Sequence, residues 1–416
     1  MPRSRHHARR SPHRCLPVLG ATSLLAVIGC VEADTARPWS TKAQTVSIPT
    51  ETVPASPAVE VSTIEVEPAV VVRTEETVTT EVVLPPVESV APVVLSGDTP
   101  PARANAWLRQ AITNDYSLVR AYGYEAMEHD PALLLEFGGN GLVDENRGVR
   151  FVTTMAIGRS CLPTLAPLIE PGLLDESQSV QAASIYALRE LGQPADPSSL
   201  ASMAMGEDPE VRGNAFMILG MLGNPSAIPI IDASLGRGMT LRNPMRIRIT
   251  ELQAAEALVQ LGDEKDVEPI RAALFAPVEQ GELTVLACDI LGRLQDEQAR
   301  PMLMRLILAA GNERRPPEIR VAAANAILRL PPPHEIGLEQ VILEFMDTDD
   351  PFLRTQVAAA LADASSEETF KALDRLLADS NPIVRTAAAG AILARINSAP
   401  DGPRPTFSGA TATVPD

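Results

Sequence analysis

Few residues of this chain have the chemistry for catalysis or metal binding, and their spacing gives them none of the company such work needs. The 416 residues include five His and four Cys. His129 and His334 each stand beside an acid, Asp130 and Glu335, with no second ligand at metal spacing and no nucleophile to activate. Both are expected to be solvated loop residues. Cys161 and Cys288 fall four repeats apart in the frame described below. At about 10 Å per repeat that is far beyond the limit of about 7 Å for a disulfide. Both are expected to be buried, unpaired small hydrophobes. No strand pattern precedes a glycine-rich turn, so no phosphate loop is expected. The sequence predicts no catalytic residue, no metal site and no cofactor.

Arginine is the polar residue that recurs. Arg120, Arg150, Arg212, Arg320, Arg354 and Arg385 occupy one position of a repeat. They are expected to form a structural ladder, each guanidinium pairing with a cap carboxylate such as Asp208 or Asp350, or with a carbonyl of its own or an adjacent repeat. A second set lies in the two longest segments between repeats: Arg237, Arg242, Arg246 and Arg248, then Arg314 and Arg315. These six are the candidate binding residues, a basic ridge for an acidic partner or an anionic envelope polymer. The competing expectation is that they pair locally with acids such as Glu251 and Glu313.

The elements that position these residues are helices. The segment Asp208-Pro-Glu-Val-Arg-Gly-Asn-Ala-Phe-Met-Ile-Leu-Gly-Met-Leu-Gly223 is apolar at i, i+4, i+8 and i+11, the stripe of a packed helix. The same frame recurs nine times. The residue after its first core position falls at 120, 150, 181, 212, 251, 284, 320, 354 and 385, with separations of 30, 31, 31, 39, 33, 36, 34 and 31. Asn146, Ser177, Asp208, Asp350 and Asn381 stand four residues earlier, placed to cap the helix. Pro209, Pro351 and Pro382 follow at once, and Pro317 holds the same slot, where a missing N–H costs nothing. A shorter helix precedes several caps, near 226–235, 267–275, 301–310 and 367–378. The second core position is always Gly, Ala, Ser, Thr or Val, which lets helices approach to about 8–10 Å.

The pattern Asp-Pro-x-Val-Arg-x-x-Ala-x-x-x-Leu-x-x-Leu-Gly resembles the short bacterial HEAT repeat, the phycobilisome-lyase-type HEAT-like repeat. The resemblance covers about 101–397. It implies an all-α fold, an α-solenoid of about nine HEAT-like helix pairs whose second helices line a concave face. Gln181, Glu251 and Thr284 depart from the Arg slot, and the run Phe137-Gly-Gly-Asn-Gly141 predicts a departure from regular curvature around repeats two and three. Trp107 and Tyr116, Tyr122, Tyr124 and Tyr186 crowd the first three repeats, where large side chains are expected to fill a terminal repeat.

Composition agrees with close-packed helices: 45% hydrophobic residues but 3% aromatic. A net charge of −18 excludes a nucleic-acid binder, which needs a basic surface. Residues 1–30 differ from the rest. Arg3, Arg5, Arg9, Arg10 and Arg14 precede an apolar run of 15 residues, Cys15 to Gly29, shorter than the roughly 20 needed for a membrane span. Val27-Ile28-Gly29-Cys30 resembles a bacterial lipobox, which implies cleavage before Cys30 and lipidation of its thiol. The rest of the chain would then hold 30 basic and 53 acidic residues, net −23. Residues 31–100 are expected to be a disordered stalk. Between 44 and 95 lie fifteen Val, eight Thr, eight Glu and seven Pro, and the prolines interrupt any continuous helix or sheet. Residues 398–416 are expected to be a disordered tail.

These features predict an exported protein, lipid-anchored to the bacterial cell envelope through Cys30. Its expected work is non-enzymatic: a scaffold binding a protein or peptide along the concave face or the basic edge. The alternatives are an envelope assembly factor or chaperone and, as the resemblance allows, an enzyme of the bilin-lyase or DNA-glycosylase type.

Overall fold

The computed structural model describes residues 97–236 and 244–398. The expected signal segment with Cys30, nearly all of the stalk, and the C-terminal tail lie outside them. The described residues form helices and turns, with no strand among them. Nine helices carry the repeat frame: Ser117–Ala126, Arg147–Ser160, Gln178–Glu190, Pro209–Leu222, Pro244–Gln260, Gly281–Arg293, Pro317–Arg329, Pro351–Ala360 and Pro382–Ser398. They are called the inner helices of repeats one to nine. An outer helix precedes each, from Pro100–Ala111 in the first repeat to Glu367–Leu376 in the ninth.

Local chemistry starts the inner helices where the caps were expected. Asp208 accepts from the backbone N–H of Glu210 at 2.9 Å, Asn146 from Gly148 at 2.8 Å, Asp350 from Phe352 at 2.9 Å and Asn381 from Ile383 at 2.8 Å. Pro209, Pro317, Pro351 and Pro382 open their helices. Ser177 departs from the expectation. Its side chain makes no cap, and its own N–H donates to Asp175 at 2.8 Å.

Consecutive inner helices run parallel and in register. Thr250 donates to the Pro209 carbonyl at 3.3 Å, Asn214 to the Ser179 hydroxyl at 3.0 Å, and Gln356 to the Glu318 carbonyl at 2.8 Å. Glycine sets their closest approach. A methyl group on Gly158 would stand 2.8 Å from Cα of Ala187, one on Gly220 2.9 Å from Cα of Ala257, and one on Gly292 3.1 Å from Cα of Ala326. The glycine run in repeat two lies within a continuous helix. The outer helix Pro131–Gly141 runs through it, because Gly141 leaves room for Thr153 and Tyr124, which a Cβ would strike at 2.3 and 2.9 Å.

The array closes on itself. The ninth inner helix packs against both helices of the first repeat, so the inner helices form a ring in which each has two inner neighbours. Arg103 of the first outer helix pairs with Asp374 of the ninth, and Asn397 donates to the His129 carbonyl. Closure removes the open concave face expected for a solenoid. Gly148 to Gly158 are buried without interruption, as are Ala182 to Leu188 and Leu283 to Cys288. At 3.6 residues per turn, runs of that length leave no side of a helix facing solvent. Closure also changes the role of the aromatic residues. Trp107, Tyr122, Tyr124 and Tyr186 are buried, Tyr116 is 65% exposed, and Trp107 lies at the seam between repeats nine and one rather than at a free end.

Candidate functional site

The arginine column is a ladder between repeats, and its rungs are not the capping residues. Arg120 donates through Nε and Nη2 to both carboxylate oxygens of Asp144, at 2.8 and 2.9 Å, and through Nη1 to the carbonyls of Asn114 and Asp115. Arg150 repeats this on Asp175 at 2.8 and 2.9 Å, with the carbonyls of Asp144 and Glu145. Arg354 does so on Asp379 at 2.7 and 3.0 Å, with the Thr348 carbonyl. Each of these acids belongs to the next repeat and lies two residues before its cap, where it also accepts the backbone N–H two residues on at 2.8 Å. Asp208 and Asp350 serve their own helix starts, which corrects the expected Arg-to-cap pairing. A bidentate fork joined to a turn holds two repeats in fixed relation, as a cap with its lone pairs turned to helix N–H groups cannot.

The remaining rungs vary. Arg320 pairs with Glu344 at 3.0 Å and lies over the Phe345 ring at 5.2 Å. Arg212, fully buried, donates to the Ser234 carbonyl. Arg385 donates to the carbonyls of Asp379 and Ser380 and stacks on Trp107. The hydrogen bond to Asp144 raises the pKa of Arg120 and that to Asp175 raises Arg150, whereas burial lowers Arg212 and Arg385. Gln181 keeps only the carbonyl contact, at 2.6 Å to Asp175. Thr284 donates only to the Ala273 carbonyl at 3.2 Å; Arg271 of the preceding outer helix instead grips Asp296, in the turn that follows the sixth inner helix, at 2.6 Å through two nitrogens.

A second set of ion pairs ties the C-terminal halves of the inner helices. Glu256 and Arg293 form a two-point pair at 2.9 and 2.8 Å. Asp289 contacts Arg293 and, at 2.7 Å, Arg329, which reaches Asp363 at 2.7 Å. Arg159 pairs with Glu128 at 2.7 Å. Burial pulls Arg293 down, but Asp289 and Glu256 outweigh it and hold the guanidinium firmly charged. These groups serve one another and leave no carboxylate poised beside a nucleophile.

His129 is not the solvated loop residue expected. It ends a 3-10 turn, its side chain is 25% exposed and 3.9 Å from Glu128, and burial lowers its pKa. His334 is exposed, with Nε2 2.9 Å from the Leu330 carbonyl. Cys288 is buried and free as expected, and burial pushes its thiol pKa up. Cys161 is half-buried and is not joined to free Cys288, as their expected separation requires. Among the described residues no group of three His, Cys, Asp or Glu is arranged to hold a metal ion.

The turns between outer and inner helices share one rim, because every inner helix starts there. The candidate binding arginines were expected on this edge. Arg237 and Arg242 lie outside the described residues. Arg246 and Arg248 are exposed on the lengthened start of the fifth inner helix, and Arg248 donates to Gln280 of the next repeat. Arg314 pairs with Glu344 at 3.1 Å, not with Glu313, and stays 57% exposed. Arg314 and half-buried Arg315 line, together with Arg305 and Glu313, a groove of about 330 Å³ between repeats six and seven. Its floor is apolar: Leu306 is buried, and Phe275 and Val278 are 46% and 50% exposed. The Arg305 guanidinium is 6.0 Å from the centre of the Phe275 ring. Sequence reasoning found Arg314 and Arg315 but not Phe275, Val278 or Arg305, which read as ordinary positions of an outer helix and its turn.

Comparison with known proteins matches residues 307–393 to the family of HEAT repeats. No curated protein matches the chain. Among solved structures, human deoxyhypusine hydroxylase in complex with glycerol is similar with 17% identity over 63% of this chain and 95% of that one, at a TM-score of 0.33.

Proposed function

We propose that this protein is a non-enzymatic scaffold of the bacterial cell envelope, anchored by lipid at Cys30, that binds a protein segment carrying acidic and apolar side chains. One observation carries the binding reading: an apolar floor with exposed Phe275 and Val278, bordered by Arg305, Arg314 and Arg315, on a chain of net charge −18. Exposed aromatic and arginine side chains are the types that dominate binding energy at interfaces. The groove opens on the rim where the inner helices start, a surface that ring closure leaves exposed. The order of basic head, apolar run and Cys30 supports the anchor. No helix of the described residues is long and apolar enough to cross a membrane.

The binding test is fluorescence anisotropy with a labelled peptide that alternates Glu with Leu, against a control with Lys for Glu. The expected result is binding of the acidic peptide, lost in Arg305→Glu/Arg315→Glu with an unchanged melting temperature. Equal binding by wild type and variant overturns the groove assignment. Incorporation of labelled fatty acid that persists in Cys30→Ser overturns the anchor. Cross-linking in intact envelopes separates the two uses of such a surface: one stoichiometric partner marks a scaffold, many short-lived clients a chaperone.

A further inference from the structure

The rim that bears the groove also bears its chemical complement. In repeats two, three and four, the turn before each inner helix presents an apolar side chain and, two residues on, a carboxylate: Val143 with Glu145, Leu174 with Glu176, and Met205 with Glu207. Val143, Leu174 and Met205 are 80%, 89% and 36% exposed. The side chains of Glu145 and Glu176 are 88% and 86% exposed, although each touches a ladder arginine, Arg120 at 3.4 Å and Arg150 at 3.2 Å. Between the members of the first two pairs sit Asp144 and Asp175, held by those same arginines. The turn backbone is therefore fixed by the ladder while the flanking side chains project. A constant separation of 31 residues puts the three pairs in register along the rim, about 10 Å apart.

Further round the same rim, repeats five to seven offer exposed Arg246 and Arg248, then the apolar groove, in whose lining three arginines outnumber one acid, Glu313. A surface that holds a pattern and its complement at separate places permits a two-fold pair, in which each contact is made twice. We propose that the apolar and acidic arc of repeats two to four docks into the arginine-bordered groove of a second copy of this chain. This rests on the reading of the groove as a binding site and names its occupant. Leu174 or Val143 would cover the Phe275 and Val278 floor, and Glu145 and Glu176 would accept charge-assisted hydrogen bonds from Arg314 and Arg315. The net negative charge of both copies opposes their approach. That repulsion is screened beyond about 8 Å at physiological ionic strength, whereas the contact itself is closer than that.

The test is sedimentation velocity of the full chain over a range of concentrations at physiological salt, with three samples. Wild type sediments as a dimer. Glu145→Arg/Glu176→Arg and Arg305→Glu/Arg315→Glu each sediment as monomers, with the apparent Kd raised about tenfold or more. An equimolar mixture of the two variants restores the dimer, because the reversed arc of one matches the reversed groove of the other; a folding defect could not produce this recovery. Wild type that is monomeric throughout, a dimer indifferent to both variants, or a mixture that stays monomeric overturns the proposal. Binding of the acidic peptide measured on the same samples separates the two failures. A monomer that still binds it through Arg305 loses only the second-copy assignment, and one that does not loses the groove as well.

Discussion

Trp107 and Thr386, 279 residues apart, share a hydrogen bond: the indole N–H donates to the Thr386 hydroxyl at 2.9 Å. The neighbouring guanidinium of Arg385 lies 4.1 Å from the centre of the indole ring. Elsewhere in the ladder Arg120, Arg150, Arg320 and Arg354 each reach an acid of the next repeat. At the seam, an aromatic face takes that place.

Removal of this side chain will open the ring before it unfolds the repeats. Trp107→Ala is expected to cost about 3–5 kcal/mol, the range for a buried large-to-small change. Trp107→Phe keeps the stacking surface and is expected to cost about 1 kcal/mol for the lost hydrogen bond. Chemical denaturation gives both values, and limited proteolysis of the first repeat should accelerate in Trp107→Ala alone. Equal stability of the two variants would contradict the seam assignment.

The ladder acids and the cap acids will separate energetically. Asp175→Ala strips Arg150, 9% exposed at the side chain, of its two-point partner, and such a half-removed pair costs about 3–5 kcal/mol. Asp208→Ala removes a cap and should cost about 1 kcal/mol. Melting curves of the two variants rank them, and the reverse order would restore the caps as the rungs.

The glycines at helix crossings will not accept a methyl group. Gly158→Ala and Gly220→Ala place Cβ against the backbone of Ala187 and Ala257, so the helices must separate, at about 1–3 kcal/mol each. Alanine usually strengthens a helix relative to glycine. A stabilised variant would show that the contact is looser than described.

Acid will loosen the junction of repeats one and nine. Burial lowers the pKa of His129, partly offset by Glu128, so the folded state favours the neutral ring. The stability this contributes is present above the unfolded value of about 6.5 and is lost as pH falls towards the lower folded value. The stability of His129→Gln should therefore fall less than that of wild type between pH 7 and pH 5. Parallel pH profiles of the two proteins would remove His129 from the acid response.

The sequence-level frame located all nine inner helices because each must present small and apolar residues at helical spacing, whatever surrounds it. Closure was not legible. It depends on the small rotation between neighbouring repeats, which no local pattern encodes, and Trp107 looked like filling for an exposed end. The ladder was half legible. Arg120, Arg150 and Arg354 stood out, but Asp144, Asp175 and Asp379 were overshadowed by cap residues two positions later. Their constant spacing of six before the next reference position was the available signal. At the groove, Arg314 and Arg315 were visible as charge. Phe275 and Val278 were not, because an apolar residue at the end of a helix normally belongs to the core.

A linear stack of repeats melts inward from its ends, since a terminal unit has one neighbour and an internal unit two. The junction of repeats nine and one gives every unit two neighbours, a periodic boundary without a favoured place for fraying to begin. Loss of one repeat then requires two interfaces to part at once. Amide exchange in the inner helices should accordingly be protected to a similar degree around the whole circuit, with no gradient from the first repeat to the last.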